Sequence, residues 1–223
     1  MKTMNDKFLL TKSMGQTALE KLHGTIFPNK CLFCRRVLEG LGDITCDKCR
    51  GLCNNGSVHI PNAYIACDYA DEAVRHVIHR FKYGGVKMLA RPMAEAIFQR
   101  FEEIEADCII CVPLHEKRVK ERGYNQAALL ATELSWLMGV AAYDGMLRTR
   151  ETAKQFDLNP DERAANVEGA FALKEGFCVA GQRVLLVDDV FTTGATAGEC
   201  AKVLIDAGAK AVEIVAFAMS TLE

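Results

Sequence analysis

Several things are missing from this chain, and each absence narrows what it can be. No apolar run approaches the roughly 20 residues that a membrane-spanning helix needs, and Phe8-Leu9-Leu10 is far too short for the apolar centre of a secretory signal. Membrane insertion is therefore not expected, and a cytoplasmic location is. An excess of one charge is missing too: the formal net charge is −2, which makes no global case for nucleic acid. There is no internal repeat and no low-complexity tract. The two common phosphate-cradling loops, G-x-x-x-x-G-K-[ST] and G-x-G-x-x-G, are both absent. What remains is a 223-residue chain, half hydrophobic and a quarter charged, long enough for one ordinary domain plus a small appendage.

The most informative stretch is Val184-Leu185-Leu186-Val187-Asp188-Asp189-Val190-Phe191-Thr192-Thr193-Gly194-Ala195-Thr196. The run Val184 to Val187 reads as a buried strand of a parallel sheet. In open α/β sheets, ligands bind outside the carboxyl ends of the strands, and Asp188 and Asp189 are expected at such an end. A helix follows Gly194, with Ala197, Cys200, Ala201, Val203, Leu204 and Ala207 at helical spacing and Gly208 as its stop. A last strand spans Ala211 to Ala218. Paired carboxylates can accept hydrogen bonds from vicinal ribose hydroxyls. The loop behind them offers N–H groups and threonine hydroxyls to a phosphate beside the positive end of a helix.

The chain holds 10 cysteines. Cys31-Leu32-Phe33-Cys34 and Cys46-Asp47-Lys48-Cys49 form paired C-x-x-C knuckles, the pattern in which each turn aims two thiolates at one tetrahedral zinc. The segment is too short for a core of its own, so a structural Zn2+ held by Cys31, Cys34, Cys46 and Cys49 is expected. Cys53 is a spare neighbour. Cys108-Ile109-Ile110-Cys111 has the same spacing but lies in an apolar run, where a strand sends the two thiols to opposite faces. These two read as packing residues, as do Cys67, Cys178 and Cys200.

Between the motifs the pattern is α/β. Ala63 to Tyr69 reads as a strand. A helix starting at Asp71 turns Ala73, Val74, Val77, Ile78 and Phe81 inward and breaks at Tyr83-Gly84-Gly85. A helix over 87–103 turns Met88, Leu89, Met93, Ala96 and Ile97 inward. Cys108 to Val112 reads as a buried strand, and a helix over Asn125 to Met138 carries Leu129, Leu130, Leu134 and Leu137. Alternating strands and helices imply a mostly parallel sheet flanked by helices. Residues 1–25 are expected as a helical extension, 26–58 as the zinc module and 59–223 as the main domain.

A basic loop, Leu114-His115-Glu116-Lys117-Arg118-Val119-Lys120-Glu121-Arg122-Gly123-Tyr124-Asn125-Gln126, leaves the carboxyl end of the Cys108 strand and should open near Asp188. Lys117, Arg118, Lys120 and Arg122 suit an anionic group. Lys82 and Tyr83 can reach the same ligand or cap their helix. His115 is a candidate phosphate contact. Asn125 and Gln126 read as the N-cap of the following helix, and His76, His79 and Trp136 as surface or packing residues.

The acidic stretch resembles the phosphoribosyl-pyrophosphate (PRPP) signature of type I phosphoribosyltransferases. The Pro113-Leu114-His115 and Arg122-Gly123-Tyr124-Asn125-Gln126 segments resemble the ComF/GntX branch of phosphoribosyltransferase-like proteins. Ile26-Phe27-Pro28, Phe81 to Gly85, Arg148-Thr149-Arg150, Gln155, Arg163 to Asn166 and Gly169-Ala170-Phe171 fit the same pattern. The resemblance implies a type I phosphoribosyltransferase-like fold with an N-terminal zinc ribbon. It implies that Asp188 and Asp189 hold ribose, that Thr192, Thr193, Gly194, Ala195 and Thr196 hold the 5′-phosphate, and that Mg2+ accompanies PRPP. The associated biology is competence for DNA uptake; no acceptor base is implied.

Two functions follow as expectations. In the first, the chain binds PRPP with Mg2+ and transfers or hydrolyses the phosphoribosyl group. Asp188, Asp189 and Arg122 form the catalytic set, and Leu114, His115, Lys117, Arg118, Lys82 and the 192–196 loop bind substrate. In the second, it is a non-catalytic module of an uptake machine. That module binds PRPP or single-stranded DNA through Lys117, Arg118, Lys120, Arg122, Tyr124, Arg148 and Arg150. Its zinc ribbon docks an uptake helicase or another competence protein. Neither reading sets the oligomeric state.

Overall fold

Two nine-residue strands with long buried apolar stretches form the centre of the molecule. In the computed structural model, which describes residues 30–38, 43–53, 62–101, 103–151 and 165–220, these are the strands Arg183–Phe191 and Ala211–Met219. In chain order the elements are strand β1 (Ala63–Asp68), helix α1 (Glu72–Tyr83), a 3-10 turn at Lys87–Leu89 and helix α2 (Ala90–Arg100). Strand β2 (Cys108–Cys111), helix α3 (Glu116–Arg122), helix α4 (Gln126–Met138), strand β3 (Ala142–Tyr143) and strand β4 (Met146–Arg148) follow. The chain then forms strand β5 (Phe171–Leu173), strand β6 (Arg183–Phe191), helix α5 (Ala195–Asp206) and strand β7 (Ala211–Met219).

Five strands make one parallel sheet in the order β1-β7-β6-β2-β3, and β4 and β5 form a separate antiparallel pair. All four residues of β2 are buried, as are Val184 to Val187 of β6, because helices cover both faces of a parallel sheet. Phe81, Phe217, Ile65, Met93 and Leu130 are among the largest fully buried side chains. Each stabilises the fold by about 1.5–3 kcal/mol relative to exposure.

Local signals set the helix ends. Asp71 caps α1 by accepting from the N–H groups of Ala73 and Val74. Asn125 alone caps α4, accepting from Ala127 at 3.1 Å while its Nδ2 donates to the carbonyl of Val112 at 3.0 Å. This ties the end of β2 to the start of α4, and Gln126 is therefore a helix residue rather than part of the cap.

Several expectations need correction. The stretch after Pro113 is not simply a loop: it contains α3, capped by His115 through Lys117 N–H and ended by Gly123 in the left-handed region at φ 79°. The expected 87–103 helix is a 3-10 turn followed by a shorter α-helix, and Met88 is 78% exposed rather than inward. Cys178 is exposed, whereas Cys67, Cys108, Cys111 and Cys200 are buried as expected. Strand β6 runs on through both acids to Phe191, because the equally long β7 pairs Asp188 with Ala216 and Phe191 with Met219. The expected 1–25 helix, Ile26 to Pro28, Gln155 and Arg163 lie outside the described residues. Among the described residues no helix is long and apolar enough to cross a membrane.

Candidate functional site

The carboxyl ends of β2 and β6 open into a cavity of about 500 Å³. Its walls come from the end of α1 (Lys82, Tyr83), the β2–α3 turn (Pro113, Leu114, His115) and α3 (Arg118, Arg122). The start of α4 (Gln126), β4 (Arg148), β6 (Asp188, Asp189) and the loop before α5 (Thr192, Thr196) complete them. Segments far apart in sequence meet here because neighbouring parallel strands end at the same edge of the sheet.

The two acids have different surroundings. Asp189 is buried, and its Oδ1 accepts the ammonium of Lys82 at 3.0 Å. Asp188 Oδ1 accepts the N–H of Asp189 at 2.8 Å. Loss of solvent, and then the neighbouring charge of Asp189, push the Asp188 carboxyl up to about 7, against the opposing pull of Lys82. One wall thus carries a neutralised carboxylate beside a carboxyl group that titrates near neutrality.

Arg118, Arg122 and Arg148 line the same cavity, together with Glu121 and Glu151. Arg122 donates to Tyr83 Oη at 3.3 Å and to Gln126 Oε1 at 3.1 Å, with its guanidinium 5.1 Å from the Tyr83 ring. Arg148 stacks over Phe171 at 5.3 Å, and burial holds its pKa below the usual guanidinium range. Behind the acids, Gly194 takes φ 79° immediately before α5, so the chain turns sharply from β6 into the first turn of that helix. A Cβ there would lie 2.7 Å from the Phe191 ring, so the loop needs glycine twice over.

The structure therefore gathers Lys82, Leu114, His115, Arg118, Arg122, Asp188, Asp189, Thr192 and Thr196 around one cavity. Thr193, Gly194 and Ala195 form the turn beside it. Lys117 does not line the cavity itself; its ammonium pairs with the cavity residue Glu151 at 2.9 Å. Tyr124 is not an accessible stacking platform: it is 7% exposed, and its hydroxyl donates to the carbonyl of Phe81. Tyr83, 63% exposed, is the aromatic side chain at the cavity mouth. Sequence reasoning placed Arg148 only in a nucleic-acid groove and missed Gln126 as a cavity residue. The signals for Gln126 were its i, i+4 spacing from Arg122 and its place in the Arg122 to Gln126 segment.

A second centre lies at the N-terminal module. The Sγ atoms of Cys31, Cys34, Cys46 and Cys49 all lie within 4.8 Å of one another, which fits a four-thiolate zinc ribbon. Two tight turns produce the convergence. Arg35 N–H donates to the carbonyl of Cys31 at 2.9 Å with Arg35 at φ 63°, and Cys49 N–H donates to the carbonyl of Cys46 at 2.9 Å. His76 and His79 are exposed and form no such cluster.

No family model matches the chain. It is 41% identical over 109 residues to the DNA utilization protein YhgH of Escherichia coli, covering 48% of this chain and 47% of that protein. It is 32% identical to competence protein F of Haemophilus influenzae, over 64% of this chain and 66% of that protein. The figure for competence protein ComFC of Streptococcus pneumoniae is 27%, over 75% and 72%. The chain spans about half the length of the Escherichia coli relative it matches. Among solved structures it is similar to an adenine phosphoribosyltransferase (16% identity, TM-score 0.40, 65% of this chain and 75% of that one). A purine phosphoribosyltransferase from Pyrococcus horikoshii is similar at 21% identity and TM-score 0.39, over 59% and 74%.

Proposed function

Taking as premise that the chain is a homologue of the DNA utilization and competence F proteins, we propose that it binds PRPP and acts in phosphoribosyl transfer. The observation that carries this reading is that Asp188 and Asp189 line one cavity with Arg118 and Arg122. In this reading the acids take the ribose hydroxyls. Thr192, Thr196 and the N–H groups of Thr193, Gly194 and Ala195 take the 5′-phosphate at the start of α5.

The demand on the protein is mainly electrostatic. As the glycosidic bond to pyrophosphate lengthens, negative charge grows on the leaving oxygens and positive charge on the ribose ring. In this reading Arg118 and Arg122 meet the first charge and the carboxylates the second. Arg122 is pinned between Tyr83 and Gln126, so little reorganisation is needed as charge develops. Among the described residues the one cluster of three or more metal-ligating side chains is the cysteine foursome, so in this reading Mg2+ belongs to the ligand rather than to a cage of these residues. It would enter with the phosphates, where it supplies charge neutralisation of the pyrophosphate. In the N-terminal module the four cysteines would hold a structural Zn2+.

The test is calorimetric titration with PRPP and Mg2+, followed by pyrophosphate release against a panel of bases. Binding with release supports transfer and identifies the acceptor; absence of binding sinks the reading. A second reading, a single-stranded DNA module of an uptake machine, draws on one observation. Tyr83 presents an exposed ring beside Arg122, an arrangement on which a base can stack. The relatives' names, DNA utilization and competence, point the same way. A labelled oligonucleotide whose affinity is unchanged by Tyr83→Ala would remove that support.

A further inference from the structure

Gln126 is 2% exposed, yet it lines the cavity, and its Nε2 has no hydrogen-bond partner among the described residues. A buried amide donor without a partner costs about 1–3 kcal/mol, so its persistence calls for a cause. The orientation of the amide is not arbitrary. A guanidinium only donates, so the atom that meets Arg122 at 3.1 Å must be Oε1. The NH2 group is thereby left over, among the described residues, as an unpaired donor in the wall of a cavity that Lys82, Arg118, Arg122 and Arg148 share with Glu121, Glu151, Asp188 and Asp189.

We propose that Gln126 is a ligand-binding residue whose side-chain amide donates to an oxygen of the pyrophosphate moiety, while its carbonyl holds Arg122 in place. This rests on the ribose-phosphate reading of the same cavity. An anionic oxygen is the fitting acceptor because Arg122, which is hydrogen-bonded to Gln126, lines the same cavity with Arg118. The side chain would thus act twice, as a donor to the ligand and as the anchor of the arginine beside it. Its burial fixes both roles, since the amide cannot turn without giving up the Arg122 contact.

The experiment is calorimetry on the whole protein with two probes, inorganic pyrophosphate with Mg2+ and ribose 5-phosphate. The unaltered chain is compared with Gln126→Glu and Gln126→Met, and thermal melts check the fold. The glutamate keeps an acceptor for Arg122 but loses the donor. The methionine keeps size without charge or donor. The expected result is a loss of about tenfold or more in pyrophosphate affinity in both variants, the scale of one hydrogen bond to a charged group, with ribose 5-phosphate affinity held within about twofold. Unchanged pyrophosphate affinity in a folded variant overturns the proposal. Equal loss of both probes, or loss of fold in both variants, also overturns it by assigning Gln126 to packing. If the unaltered protein binds neither probe, the ribose-phosphate reading itself fails, which is a different result from a failure of Gln126 alone.

Discussion

Asp188 and Asp189 are adjacent in sequence, but their surroundings differ: Asp189 pairs with Lys82 at 3.0 Å. The Lys82–Asp189 pair is largely buried, with side-chain exposures of 20% and 10%. Removing one member of such a pair leaves an uncompensated charge, so Lys82→Met is expected to destabilise the fold by about 3 kcal/mol in urea unfolding. Asp188 behaves in the opposite sense. Its folded-state pKa of about 7 lies above the ordinary 3.8, so between those values the folded protein binds more protons than the unfolded chain. Stability therefore falls as pH rises through that window. Asp188→Asn, which keeps the shape and removes the titration, should flatten this part of the pH–stability curve, measured by urea unfolding at a series of pH values. On the proposed function, in which Asp188 accepts from ribose hydroxyls, the same variant should bind Mg-PRPP at least about tenfold more weakly.

At the scale of elements, the β6–α5 junction governs the geometry of the site. Gly194→Ala would force a side chain into the left-handed region and against the Phe191 ring. The expected cost is about 1–2 kcal/mol in stability, with ribose 5-phosphate binding weakened more than pyrophosphate binding, as read by calorimetry. The length of β6 was not legible from its own residues, since Asp-Asp reads as a strand end. It is the register with β7 that carries the ladder past the acids. Helix α3 was hidden for a related reason. None of its residues is buried, so no apolar periodicity marks it; the cap by His115 and the stop at Gly123 define it instead. By contrast, the inward faces of α1 and α4 were readable because Val74, Val77, Ile78, Phe81, Leu130 and Leu134 recur at helical spacing and are buried.

At the scale of the whole molecule, the cysteine module is joined to the main core. Leu32, Phe33 and Ile44 belong to the same buried cluster as Ile65 and Val74. Losing the metal should therefore affect the whole protein. About one equivalent of zinc per chain is expected by metal analysis, and Cys31→Ser or a strong chelator should lower the melting temperature by more than about 5 °C. Zinc content below half an equivalent in the unaltered protein would defeat the zinc assignment. The link also bears on function: a module that shares the core can transmit loss of metal to the cavity, so PRPP affinity should be followed through the same chelation.

The sequence by itself determined the alternating strands and helices, the buried character of β2 and β6, the two cysteine knuckles and the glycine-hinged loop after the acids. Each of these rests on local periodicity, spacing or backbone preference, which neighbouring residues specify among themselves. Only the tertiary structure decided that Lys82 neutralises Asp189, that Arg122 is held between Tyr83 and Gln126, that Arg148 enters the cavity wall and that Tyr124 is buried. Those facts depend on which strand ends lie side by side, and in a parallel sheet that order is set by crossovers spanning the chain.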